Sequence, residues 1–85
     1  MAKPFVYALS TCPHCRRTRR LLDELAIDYD VVEVDLLGDE ERGRVIDEVR
    51  RISGGASFPV VIIGDRIVVG HNEEQLRTAL ARWTP

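Results

Sequence analysis

The hydrophobic pattern of this chain changes period twice within its first 35 residues, and no other feature restricts its fold as much. Phe5 to Leu9 is a short apolar run of strand formers. From Cys15 the pattern switches to spacings of three and four, through Thr18, Leu21, Leu22, Leu25 and Ala26, which predicts one buried helical stripe. Arginines 16, 17, 19 and 20, with Asp23 and Glu24, fill the opposite, hydrated face. Asp30 to Asp35 returns to β-branched apolar residues and predicts a second strand. Two strands joined through a helix lie parallel, in a right-handed crossover.

The remainder of the chain continues this punctuation. Asp39, Glu40 and Glu41 stand where acids favour a helix start, and Arg50 and Arg51 where bases favour its end. Val45, Ile46, Val49 and Ile52 supply the apolar face between them, and Gly54-Gly55 ends the helix. Pro59 opens the run Val60 to Ile63, and Gly64-Asp65 makes a two-residue hairpin turn into Arg66 to Val69. Asn72, with Gln75 three residues later, has the pattern of a capping box before a last helix with Leu76, Ala79, Leu80 and Trp83 inward. The order is β-α-β-α-β-β-α: an α/β chain with a four-stranded mixed sheet and three helices on its two faces. One domain, 1–85, is expected at this length.

Composition narrows the function classes. A net charge of −2 leaves no footprint for nucleic acid. The longest uninterrupted apolar run, Val60 to Ile63, is far short of the ~20 residues a membrane span needs. The N-terminal segment lacks the apolar core and small-residue cleavage site of a signal peptide, so a cytoplasmic location is expected. Two cysteines enclosing two residues close almost no chain, so a bridge between them adds little stability. In a reducing compartment such a pair is catalytic or metal-binding.

Cys12-Pro13-His14-Cys15 lies where strand one meets helix one. Pro13 fits the first helical position, which makes Cys12 the cap residue. The free N–H groups of the first turn and the positive end of the helix dipole then favour its thiolate. Cys15, one turn inside, is shielded and protonated. That asymmetry suits two-step exchange, with Cys12 attacking a disulfide and Cys15 resolving the intermediate. His14 is read as tuning Cys12 through its cationic form, and Arg16, four residues after Cys12, as within reach of a thiolate or an anionic substrate. The competing reading is a metal or iron–sulfur module that uses Cys12 in a dimer. Only His14 and His71 could join the two thiols in a tetrahedral site. His14 should point outward, so no single-chain metal site is expected.

With Cys-Pro-His-Cys at the start of helix one and SFPVVIIGDRIVVGHNEEQL following, the sequence resembles the glutaredoxin family over essentially its whole length. The resemblance implies a thioredoxin-like fold and a thiol–disulfide oxidoreductase. It implies that Pro59 is a cis-proline facing the active site, with the Phe58 backbone pairing with substrate as an added strand. It implies that Pro13 and His14 flank the substrate, and that Gly70, His71, Asn72 and Glu73 hold the γ-glutamyl end of glutathione. Leu9 stands where family members commonly carry lysine, and Val69-Gly70 where they carry a glycine pair. These departures predict weakened glutathione binding. No bound cofactor is expected, with glutathione as candidate cosubstrate. The expected partners of the monomer are disulfide-bearing proteins or small-molecule disulfides, with glutathione or a reductase as donor.

Overall fold

The apolar runs assemble into one four-stranded sheet, in the order β2-β1-β3-β4. The computed structural model describes residues 3–83. Its elements are β1 (Phe5–Ala8), α1 (Pro13–Glu24), β2 (Asp30–Glu33), a 3-10 turn (Val34–Leu36), α2 (Asp39–Ser53), β3 (Val60–Ile63), β4 (Arg66–Val69) and α3 (Glu73–Arg82). β1 runs parallel to β2, and antiparallel to β3, which pairs antiparallel with β4. This is the four-stranded mixed sheet that the hydrophobic order predicts, and the thioredoxin-like architecture that the resemblance implies.

Side-chain alternation divides the core between the two faces. Val6 and Ala8 of β1, Val61 and Ile63 of β3, and Val68 of β4 pack with Leu21 and Leu22 of α1 and Leu76 and Ala79 of α3. Val49 of α2, Val34 and Val60 are also fully enclosed, outside that cluster. Register explains the division, because Val6, Val61 and Val68 sit opposite one another across three strands.

Four predicted boundaries shift. Trp83 lies just past α3 as its C-cap, with extended angles, because the helix has ended at Arg82, though its ring still packs against the core. Leu9 lies outside β1, and Val34 and Asp35 leave β2 for the 3-10 turn. The ladder between the two strands ends at Ala8 and Glu33, so residues beyond have no strand to pair with. Helix α1 stops at Glu24, which removes Leu25 and Ala26 from the buried stripe and leaves both exposed. Ala26 takes a left-handed φ of 57°, and its N–H donates to the carbonyl of Asp23 while that of Ile27 donates to Leu22. Those two bonds form a Schellman stop, and Ile27 packs on the core just past it. Arg19 also leaves the hydrated face. It lies across to Glu33, donating at 2.9 Å, and to the Tyr29 hydroxyl at 3.4 Å.

Candidate active site

Two sulfurs meet where β1 gives way to α1. Cys12 is the N-cap, with extended backbone angles of φ −85° and ψ 117°, and Pro13 is the first helical residue. The N–H of Cys15 donates to Cys12 Sγ at 3.4 Å. Cys15 is 1% exposed, and its own Sγ accepts the N–H of Leu9 at 3.5 Å. Both are free thiols, Cys12 partly exposed and Cys15 buried.

Their environments push them apart. Partial burial of Cys12 opposes its ionisation, but hydrogen bonds from the Cys15 thiol and from the N–H groups of Cys15 and His14 outweigh it, helped by the charge of Arg16. The net result is a pKa below the ordinary thiol value. Burial pushes Cys15 up, reinforced by its hydrogen bond to Cys12 and by the charge there, to about 11. The His14 backbone N–H acts on Cys12, while the side chain points outward, exposed to solvent, as expected. Arg16 acts on Cys12 through charge.

The loop before Cys12 is clamped from β2's side of the sheet. Asp35 accepts the N–H of Ser10 at 2.8 Å with one oxygen and the Ser10 hydroxyl with the other. These bonds hold the Asp35 carboxyl below its usual pKa range. The Phe58–Pro59 bond is cis. Pro59 is buried, Phe58 packs against the core, and the Pro59 carbonyl accepts the Gly70 N–H at 2.7 Å. Gly70 has φ 79°, a conformation a side chain rarely tolerates, and it turns the chain from β4 towards α3.

The residues after that turn are committed within the protein. His71 Nδ1 lies 2.8 Å from the hydroxyl of Thr18, a fully buried residue of α1. The Asn72 side chain caps α3 by accepting the N–H of Gln75 at 3.0 Å. Glu73 binds Arg77 at 2.9 Å. Sequence reasoning missed both the Ser10–Asp35 and the Thr18–His71 contacts, which join residues 25 and 53 positions apart. A threonine inside an apolar helical stripe was the one available signal for the second, since a buried hydroxyl requires a partner. Among the described residues, no group of three or more His, Cys, Asp or Glu gathers in a way that could hold a metal ion. No helix among them is long and apolar enough to cross a membrane.

Comparison with known proteins agrees with this geometry. The family model for glutaredoxin matches residues 5–68. A glutaredoxin structure from Archaeoglobus fulgidus superposes with a TM-score of 0.89 at 48% identity, covering 94% of this chain and 87% of that one. An uncharacterized glutaredoxin-like 8.6 kDa protein from the rubredoxin operon of Clostridium pasteurianum is 33% identical over 72 residues, 84% of this chain and 88% of that protein. Glutaredoxin-1 of Homo sapiens is 30% identical over 69 residues, and this chain spans 65% of its length. The matched span runs from β1 through Val68 of β4 and includes both cysteines and the cis-proline. By sequence and by fold, the chain belongs to the glutaredoxin family.

Proposed function

We propose that this chain is a dithiol oxidoreductase in which Cys12 attacks a disulfide and Cys15 resolves the intermediate. The observation that carries this reading is the unlike placement of two thiols within one helical turn, Cys12 partly exposed at the helix cap and Cys15 buried behind it, which displaces their pKa values in opposite directions. Family membership supports a thiol–disulfide oxidoreductase function at the coarser level.

In the first step the Cys12 thiolate attacks one sulfur of R–S–S–R′. The Cys12–S–R bond forms, the substrate S–S bond breaks, and R′S⁻ leaves. Cys12 then carries neither the charge nor the hydrogen-bonding thiolate that help keep Cys15 protonated. Cys15 loses its proton to the departing thiolate and attacks Cys12 Sγ, releasing RS⁻ and closing the Cys12–Cys15 disulfide. The substrate gains two electrons and the protein loses two. A low-mass thiol or a dithiol reductase returns them by the reverse exchange.

Pro13, His14, Phe58 and Pro59 would flank the attacking sulfur and receive the substrate chain, with the Phe58 backbone pairing as an added strand. Glutathione is the candidate cosubstrate, held at Gly70, His71, Asn72 and Glu73. Because those side chains and the Gln75 N–H are already engaged, the N–H groups of Glu73 and Glu74 at the start of α3 are the groups left for its γ-glutamyl carboxylate. Leu9 offers no charge to the other carboxylate, and a hydrogen bond to a charged group contributes about 1.5–3 kcal/mol. Glutathione is therefore a weak cosubstrate, and Leu9→Lys should lower its KM by about tenfold or more.

Iodoacetamide labelling at mildly acidic pH, read by mass spectrometry, should modify Cys12 well before Cys15. Cys15→Ser should accumulate a mixed disulfide with substrate, and Cys12→Ser should abolish turnover. Equal labelling of the two thiols would overturn the assignment. An unchanged KM in Leu9→Lys would overturn the account of glutathione alone.

A further inference from the structure

We propose that the arginine face of α1, continued by α3, docks an acidic segment flanking the disulfide of a protein substrate. This rests on the dithiol reading above and adds the class of partner that reading leaves open.

The first observation is a charge layout that runs against the helix dipole. Helix α2 begins with Asp39, Glu40 and Glu41 and ends with Arg50 and Arg51, and α3 begins with Glu73 and Glu74 and ends with Arg82. Both arrangements complement the dipole. Helix α1 has no acid in its first turn and no base in its last. Its cations, Arg16, Arg17 and Arg20, precede its acids, Asp23 and Glu24. A local rule broken beside a reactive group is a mark of function rather than of stability. Of these arginines, Arg16 adds its charge to the positive end of the helix at Cys12, and Arg17 and Arg20 lie further along the helix.

The second observation is that these cations are unspent. Arg19 is held by Glu33 and Tyr29, whereas the side chains of Arg16, Arg17 and Arg20 are exposed and make no hydrogen bond or ion pair among the described residues. Arg17 and Arg20 open onto a cleft of about 250 Å³ between α1 and α3, with His71 and Arg77 on its other side. Glu24 and Glu73 also line it. Glu73 is neutralised by Arg77, and Glu24 lies at the end of α1 remote from Cys12. The Thr18–His71 contact fixes the far wall against α1.

Geometry sets the register of the partner. Arg17 and Arg20 lie five and eight residues beyond Cys12, about 8 and 12 Å along the helix axis. An extended chain advances about 3.3 Å per residue, so acids roughly two to four positions from the substrate cysteine would meet them. The whole chain carries a net charge of −2, so an acidic partner is repelled elsewhere and oriented onto this face.

The test uses pre-reduced protein in single-turnover reactions, quenched with acid. The probes are two synthetic peptides with one internal disulfide, flanked by Asp and Glu in one and by Lys in the other, beside neutral bis(2-hydroxyethyl) disulfide. At low salt the acidic peptide should react faster than the lysine peptide by about tenfold or more, converging at high salt. Arg17→Glu/Arg20→Glu should invert the preference, and Arg17→Gln/Arg20→Gln should erase it. The neutral disulfide should stay within about twofold throughout, since only attraction to charge is altered. Arg16 is left in place because its charge acts on Cys12 itself. Equal rates for the two wild-type reactions, or a preference that survives charge reversal, would overturn the docking face. Failure of the wild type on the neutral disulfide would overturn the oxidoreductase reading instead.

Discussion

At the scale of single residues, the site works by giving two chemically identical thiols different surroundings. Cys12 keeps solvent access and gathers donors; Cys15 loses solvent and faces a neighbouring anion. Two consequences are measurable. Arg16→Gln should shift the pH profile of Cys12 alkylation upward, because a cation that favours the thiolate is gone. His14→Ala should leave that profile in place, since the backbone N–H that reaches Cys12 survives the substitution. A large upward shift in His14→Ala would restore the imidazole to the role the sequence predicts. Capping Cys12 with a methylthio group should also bring Cys15 down from about 11, leaving burial as the main cause of what remains. Ultraviolet thiolate absorbance follows that titration directly. The cap at Cys12 was legible because Pro13 marks a first helical position, and the outward direction of His14 because it follows on the exposed side of that first turn.

At the scale of elements, the periods of two and three to four were enough for every strand and helix, and the misjudged ends have one physical cause. A boundary is set by what the chain meets next, and sequence does not display it. Leu25 and Ala26 continue the helical spacing, with no glycine or asparagine to announce a stop, yet Ala26 adopts φ 57° in a Schellman turn. An L-residue pays a steric cost there that glycine avoids. Ala26→Gly should therefore raise stability by about 1 kcal/mol, a gain reduced by glycine's looser unfolded chain. A matched urea titration checks it, and a loss of stability would show that the turn is not left-handed in solution. Thr18 is the opposite case, a polar residue inside an apolar stripe whose partner is 53 positions away. Thr18→Val keeps the shape and removes the hydroxyl, which should cost about 1–2 kcal/mol by leaving His71 Nδ1 unpaired. Thr18→Ser should retain most of that contribution.

At the scale of the molecule, the buried thiol makes stability depend on pH in a direction unlike that of ordinary surface groups. Cys15 is displaced from an ordinary 9.0 to about 11 by folding. An acid whose folded pKa is raised stabilises the fold while it stays protonated in both states. That contribution is complete below about pH 9 and is lost as pH rises through about 11, where the unfolded chain has already released its proton. Tyr7, also raised by burial and by the charge of Glu48, adds to the loss in the same direction. Cys12 has the reverse sign: its depressed pKa contributes above the ordinary thiol value and fades as pH falls through the folded value. The reduced protein should therefore lose stability across pH 9 to 11, with Cys15 adding a slope of at most about 1.4 kcal/mol per pH unit. Oxidation consumes both thiols, so the disulfide form should show the shallower profile left by Tyr7. Cys15→Ala lowers stability at every pH by opening a small cavity, but it should flatten the alkaline limb of the reduced profile. Urea unfolding of the reduced wild type, the oxidised wild type and reduced Cys15→Ala, each taken across that range, separates the three contributions. Parallel alkaline limbs in all three would mean that Cys15 ionises in the fold as readily as in the open chain, and the division of labour between the two sulfurs would lose its basis.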